Sequence, residues 1–191
     1  MAIHFASILP LIILIKDWFT KDLGGDPINE ITHRTADIAI IILLASLTCT
    51  PLFKVFGFRQ AIKVRRALGR YAFFYALLHF LTFLILDYGF DIRLVLVTIT
   101  TAPRLILGSL AFLILFALAI TSNVKTMKFL GKNWKRLHRF VYAAGILLVI
   151  HYFLAVKSDF RLPTVSAVIL IILLLLRVPI VRNKIVLLRK R

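Results

Sequence analysis

The sequence predicts an all-α integral membrane protein, a six-helix transmembrane bundle with both termini on the inner side. The chain of 191 residues is 61% hydrophobic with a mean hydropathy of +0.94, whereas soluble domains are nearer half apolar. Its apolar residues fall into six long runs, and the charge of the segments between them alternates in sign. Backbone polar groups in lipid must be satisfied within their own segment, so these runs should be helices.

The six apolar runs are the candidate spans. A spanning helix needs about 17–25 residues, and most runs reach the lower end of that range once their flanks are included. The first run is the shortest. Pro51, Pro103, Pro163 and Pro179 lie at or near run ends, where proline is tolerated. The runs cover residues 2–15, 38–56, 71–86, 105–121, 140–156 and 164–180.

The segments between the runs predict the orientation. Three segments are basic and contain no acid, and all eight acids lie elsewhere. The positive-inside rule therefore places both termini and the two basic loops in the cytoplasm, an N-in and C-in arrangement. In the alternative arrangement, with one span missing, basic loops would lie on both sides of the membrane. The basic segments hold Lys54, Arg59, Lys63, Arg65, Arg66 and Arg70; Lys125, Lys128, Lys132, Lys135, Arg136 and Arg139; and Arg177, Arg182, Lys184, Arg189, Lys190 and Arg191.

Charge and cysteine content exclude several classes of protein. A net charge of +17 would indicate nucleic acid in a soluble protein, but here the basic residues separate apolar runs too long for a DNA-binding domain, so we expect no nucleic-acid partner. The single cysteine, Cys49, excludes an internal disulfide and a cysteine-based metal cluster. The sequence has no CxxCH motif, which argues against covalently attached haem.

Two histidines interrupt apolar runs that otherwise carry no charge. An ionisable side chain in a bilayer is costly and is a functional hypothesis by default, and neutral imidazole is a common ligand of haem iron. His79 lies eight residues before Asp87, which places it roughly 12 Å below the outer surface. His151 lies six residues before Lys157, which places it at a similar depth of roughly 9 Å. The third and fifth runs should be parallel, and these two side chains therefore predict a b-type haem with two histidine ligands.

His138 suggests a second, inner site. It lies thirteen residues before His151, about 20 Å deeper, which suits two stacked redox centres. However, Arg65 occupies the matching level of the third run, and His138 points about 140° away from His151 around an ideal helix. Ligation of a second haem and an interfacial role both remain open for His138. A cofactor role for His33, one turn before Asp37, is a further alternative, and we expect none for His4.

Other residues could surround a porphyrin. Ala144 and Gly145 are small and lie on nearly the same helical faces as His151 and His138, respectively, which fits either a porphyrin plane or close helix packing. Four basic residues near the predicted outer surface are candidates to neutralise haem propionates, and the sequence does not choose among them. They are Arg93, Arg104, Lys157 and Arg161.

An ordered set of short motifs resembles a known family. From about residue 26 to 158, the chain is similar to the haem-binding membrane subunits of the periplasmic methionine sulfoxide reductase system, within the ferric reductase-like transmembrane superfamily. The motifs are Asp26-Pro27, Thr32-His33, Thr50-Pro51-Leu52, Arg65-Arg66-Ala67-Leu68-Gly69, Leu78-His79, Thr121-Ser122, Leu130-Gly131-Lys132, Trp134, Leu137-His138, Tyr142, His151-Tyr152 and Val156-Lys157.

The resemblance implies a single transmembrane domain over residues 1–191, in the bacterial inner membrane. It implies one or two b-type haems ligated by His79, His151 and His138, and it admits a flavin mononucleotide at the cytoplasmic side. Electrons would come from a cytoplasmic flavin reductase or from quinol and would pass to a periplasmic molybdopterin enzyme that repairs oxidised methionines. The chain would then be an electron-transfer subunit rather than a stand-alone enzyme.

The donor must dock from outside the chain, because the sequence contains no GxGxxG or Walker motif. Its basic inner face should attract an anionic flavoprotein and also anionic membrane lipids. One alternative is a superfamily relative that reduces metal ions or oxygen, or a quinol-linked cytochrome b. Another is a small haem-free transporter that uses the buried histidines. The transporter predicts polar residues along several spans, whereas the second, fourth and sixth runs carry almost no charge away from their ends.

Overall fold

A computed structural model describes residues 2–179 and shows helices joined by short turns within that range. The predicted basic residues Arg182, Lys184, Arg189, Lys190 and Arg191 lie outside the described residues. The helices are α1 (Ala2–Thr20), α2 (Pro27–Phe56), α3 (Arg59–Leu81), which continues as a π-helix (Thr82–Asp87), α4 (Ile92–Thr101), α5 (Pro103–Ile120), α6 (Val124–Leu130), α7 (Lys132–Leu137), α8 (Phe140–Ala155) and α9 (Arg161–Leu175).

The prediction of an all-α membrane protein is confirmed. Within residues 2–179, five helical segments are long and apolar enough to cross a bilayer, and α4 and α9 are shorter apolar helices. The count of six spans and the N-in, C-in orientation stay predictions.

Helices α2 and α3 are longer than the apolar runs that predicted them. α2 begins eleven residues earlier, where the Asp26 side chain caps it by accepting a hydrogen bond from the Asn29 amide at 3.1 Å. It ends at Gly57, whose positive φ of 74° is a left-handed cap that glycine adopts readily. α3 then begins at Arg59, so the predicted basic loop is mostly the first turns of a helix.

Interhelical hydrogen bonds show how the first three helices are arranged. The Ser46 hydroxyl of α2 donates to the Arg65 carbonyl of α3 at 3.1 Å. At the other end of these two helices, His79 Nδ1 of α3 lies 3.0 Å from the Thr32 carbonyl oxygen of α2, so α2 and α3 are antiparallel. Tyr75, which is fully buried, donates to the Ser7 carbonyl at 2.7 Å and ties α1 to α3. α2 contributes the largest group of buried side chains and lies at the centre of the bundle.

α5 packs between α3 and α8. The Phe80 and Phe112 rings stack at 4.7 Å, and Phe73 contacts Phe116 one turn further along α5, so α3 and α5 are antiparallel. α5 and α8 are also antiparallel, because His151, near the C-terminal end of α8, contacts the first turns of α5. α3 and α8, the two helices that carry His79 and His151, therefore run in the same direction.

A proline inside α2 accounts for the contacts of a half-buried arginine that follows α9. Pro51 has no amide hydrogen, so the carbonyl of Leu47, four residues earlier, loses its usual helical partner. The Arg177 guanidinium donates to this carbonyl at 2.7 Å and to the Tyr142 hydroxyl, and it lies over the Tyr142 ring at 4.5 Å. This cluster joins α2, α8 and the residues that follow α9.

Candidate cofactor site

His79 of α3 and His151 of α8 lie next to each other, with their ring planes inclined by 70°. Their ring centres are 6.4 Å apart. His79 Nδ1 lies 3.0 Å from the Thr32 carbonyl oxygen, and His151 Nδ1 lies 2.7 Å from the Arg104 carbonyl oxygen. A carbonyl only accepts hydrogen bonds, so both Nδ1 atoms carry the proton and both Nε2 atoms keep a free lone pair. Metal-ligating histidines usually make such a hydrogen bond with the ring nitrogen that does not bind the metal.

The separation of the two rings fits a metal ion between them. A metal–nitrogen bond of about 2 Å and a further ~1 Å from nitrogen to ring centre, counted on both sides, give about 6 Å between ring centres. The observed 6.4 Å agrees with that value. The two imidazoles therefore suit an axial pair of ligands, as in a haem with two histidines.

Gly108 makes room for the His151 ring. A Cβ atom built on Gly108 would lie 2.9 Å from both Cε1 and Nδ1 of His151, closer than real side chains approach. Any larger residue at this position of α5 would displace the imidazole. Gly108 is not among the residues that the sequence suggested, although a glycine inside an apolar helical run is a signal of close approach.

A cavity of about 310 Å³ opens beside the two histidines. Its lining comes from α2, α3, the π-helix, α4, α5 and α8. Small and apolar side chains line the part within the bundle, and polar side chains line the part near the helix ends. The first group includes Ala36, Ala39, Ala76, Phe80, Phe112 and Leu148, and the second includes Asn29, His33, Asp87, Tyr88, Arg104 and Lys157.

The cavity distinguishes among the residues that the sequence suggested. Of the four basic candidates, Arg104 and Lys157 line it, whereas Arg93 and Arg161 are not among its lining residues. Ala144 is fully buried in the core, and Leu170 lies 3.2 Å from the position of a Cβ on Gly145. These two small residues therefore serve helix packing.

The remaining histidines differ in their surroundings. His33 lines the cavity, so it shares the site with His79 and His151. His4 lies elsewhere, with Nδ1 at 3.0 Å from the Tyr71 hydroxyl.

His138 directly follows α7, two residues before α8 begins, and lies next to the end of α5. Its Nε2 is 3.1 Å from the Thr121 hydroxyl, and the Trp134 ring stacks on its imidazole at 4.0 Å. Trp134 also donates from Nε1 to the Thr121 carbonyl, and Arg66 lies 5.7 Å above the Trp134 ring. The structure thus surrounds His138 with an aromatic ring, a hydroxyl and basic side chains.

Helix α3 changes its geometry just after His79. The π-helix begins at Thr82, three residues later, and continues to Asp87 at the rim of the cavity. π-Helical turns are rare and occur frequently at functional sites. Phe83 and Asp87 of the π-helix line the cavity together with His79.

Comparisons with known proteins point to one membrane family. A family model described as ferric reductase like transmembrane component matches residues 33–149. A protein-methionine-sulfoxide reductase heme-binding subunit MsrQ from Herminiimonas arsenicoxydans is 40% identical over 179 residues, which cover 92% of this chain and 82% of that protein. The MsrQ of Rhodospirillum rubrum is 39% identical over 186 residues, covering 96% and 89%, and that of Pectobacterium atrosepticum is 40% identical over 180 residues, covering 92% and 88%.

Proposed function

Because this chain belongs to the ferric reductase-like transmembrane family and, within it, to the MsrQ haem-binding subunits, we propose that it is a membrane electron-transfer subunit that binds b-type haem at His79 and His151. The observation that carries the proposal is the pair of neighbouring imidazoles, 6.4 Å between ring centres, with both Nδ1 atoms donating to carbonyls. Haem, when bound, supplies reversible one-electron chemistry.

The chain's own residues fix the site in three ways. The Thr32 and Arg104 carbonyls hold the two rings in one tautomer and one orientation. Gly108 leaves the space that the His151 ring occupies. The apolar wall, including Phe80 and Phe112, excludes water and lowers the local dielectric, which is one of the protein's means of setting a redox potential.

We assign to Arg104 and Lys157 the role of neutralising the propionate groups at the edge of the porphyrin. Both line the polar part of the cavity, and their side chains carry the charge that complements a carboxylate. This assignment reduces the four candidates of the sequence to two.

His138 belongs to a second, inner cofactor site in this proposal. Ligation of a second haem there requires the His138 ring to exchange its contact with the Thr121 hydroxyl for the iron. A flavin mononucleotide is the alternative occupant, and the Trp134 ring beside His138 suits stacking on a flat ring system. The haem stoichiometry separates these alternatives.

The direction of electron flow follows from the proposed topology. The donor, a cytoplasmic flavin reductase or quinol, would meet the inner side, where α6 and α7 carry Lys125, Lys128, Lys132, Lys135 and Arg136. The acceptor in this proposal is a periplasmic molybdopterin methionine sulfoxide reductase. The names of the relatives support a methionine sulfoxide reductase system as the partner. The bacterial relatives also support a location in the inner membrane.

A pyridine haemochrome assay with reduced-minus-oxidised spectra tests the proposal on purified full-length protein. We expect b-type haem in the wild type and its loss in His79→Ala and His151→Ala. His4→Ala is the matched control, because His4 contacts Tyr71 away from the cavity. A wild type without haem, or unchanged spectra in both cavity variants, would overturn the proposal. Loss of half the haem in His138→Ala would indicate two haems.

A further inference from the structure

An acidic side chain lies inside the second span, where the proposed function gives it no role. Asp37 of α2 accepts a hydrogen bond at Oδ1 from the Tyr152 hydroxyl of α8 at 2.5 Å. A carboxyl group at membrane depth is costly and is retained where it has a function. A distance of 2.5 Å falls in the range of the short, strong hydrogen bonds that carboxylates accept from hydroxyls.

The register of α2 against α3 gives the depth of Asp37. The contacts of Thr32 with His79 and of Ser46 with Arg65 share one antiparallel register, which sets Asp37 level with Phe74. Phe74 precedes Asp87, at the end of the π-helix, by thirteen residues, or roughly 20 Å along a helix. Tyr152, which donates to Asp37, lies five residues before Lys157, or roughly 8 Å along a helix, so the carboxyl lies below the outer surface and inside a hydrocarbon core about 30 Å thick.

The outer half of α2 contacts both helices that carry the cavity histidines. The Thr32 carbonyl accepts from His79 of α3, and five residues later Asp37 accepts from Tyr152, the residue that follows His151 in α8. The bond from His151 to the Arg104 carbonyl fixes the rotation of the ring. The bond to Asp37 instead fixes α8 itself relative to α2.

We propose that Asp37 and Tyr152 are positioning residues that set the distance and orientation of His151 opposite His79. The inference rests on the proposed function, because the positioned pair is the proposed ligand pair. The hydroxyl of Tyr152 and the carboxyl of Asp37 act through helix α8, and neither replaces a histidine as a ligand.

The test uses purified full-length holoprotein and four variants: Tyr152→Phe, Asp37→Leu, their combination, and Asp37→Asn, which keeps the Oδ1 acceptor. We expect Tyr152→Phe and Asp37→Leu to raise the haem dissociation rate about tenfold or more, the usual effect of removing a residue that supports a ligand. Their electron paramagnetic resonance signals should depart from that of the wild-type histidine pair. The double variant should match the single variants, and Asp37→Asn should stay near the wild type.

Tyr71→Phe is the matched control, because it removes a tyrosine hydroxyl that bonds to His4 instead. If Tyr152→Phe and Asp37→Leu lower only thermal stability, and the haem dissociation rate and resonance signal stay at wild-type values, the positioning role is wrong and the proposed function stands. If the wild type binds no haem, both proposals fall. Should Asp37→Leu not accumulate, Tyr152→Phe decides alone, because it removes a single oxygen atom.

Discussion

Replacement of Gly108 by alanine should displace the His151 ring. The added Cβ would lie 2.9 Å from Cε1 and Nδ1 of His151, whereas favourable contacts between such atoms begin at about 3.5 Å. The ring would have to move by roughly 0.6 Å, or give up its 2.7 Å bond to the Arg104 carbonyl. Metal–ligand distances tolerate only about 0.2 Å, so we expect Gly108→Ala to weaken haem binding by about 10-fold to 100-fold.

The assay is the rate of haem transfer from the purified variant to an excess of apomyoglobin, together with the thermal unfolding midpoint in detergent. Gly69→Ala is the matched control, because its Cβ would meet only the Ser46 hydroxyl oxygen, at an ordinary 3.6 Å. Alanine is the better helix former by about 1 kcal/mol, so Gly69→Ala should gain stability and keep its haem.

Gly145→Ala is a second control, since its closest contact is Leu170 in the core, at 3.2 Å. A Gly108→Ala protein that keeps wild-type haem transfer and gains stability as Gly69→Ala does would refute the reasoning. The cavity would then accommodate the added methyl group without any movement of the His151 ring.

Two further predictions concern basic side chains. Arg177→Leu removes a charged hydrogen bond to the Leu47 carbonyl and should lower stability to unfolding by about 2 kcal/mol, measured by thermal unfolding. The loss should be smaller in a Pro51→Ala background, where residue 51 regains an amide hydrogen for the same carbonyl; an equal loss in both backgrounds would contradict this account. Arg104→Gln keeps the backbone carbonyl that holds His151 but removes a positive charge from the cavity, so it should accelerate haem transfer several-fold. Arg93→Gln is the control and should leave the rate unchanged, because Arg93 is not among the lining residues. Equal transfer rates in the two variants would contradict the assignment of Arg104.

The sequence predicts the fold class well because hydropathy is a local property. It underestimates α2 and α3, whose ends are polar: α2 begins at Pro27 rather than residue 38, and α3 at Arg59 rather than residue 71. It also misses α4, α6 and α7, since short helices between spans depend on tertiary contacts and caps, such as Asn123 at the start of α6. Hydropathy reports which segments lie in lipid, not where each helix ends.

The sequence predicts that His79 and His151 lie close together, because the helix rise and the loop charges give the depth of each residue in the membrane. It cannot choose between Arg104 and Arg93, or detect the contact of Gly108 with His151, because both depend on which faces of α5 and α8 meet. The bond between Asp37 and Tyr152 joins positions 115 apart in the chain, and a single sequence carries no signal for such a pair.

The orientation of both cavity histidines depends on main-chain atoms. The acceptors are the carbonyl oxygens of Thr32 and Arg104, which every amino acid possesses. Substitution at positions 32 and 104 therefore leaves this part of the site intact as long as the two helices keep their places. For these two contacts, the path of the backbone determines the orientation of the rings, whichever side chains stand at positions 32 and 104.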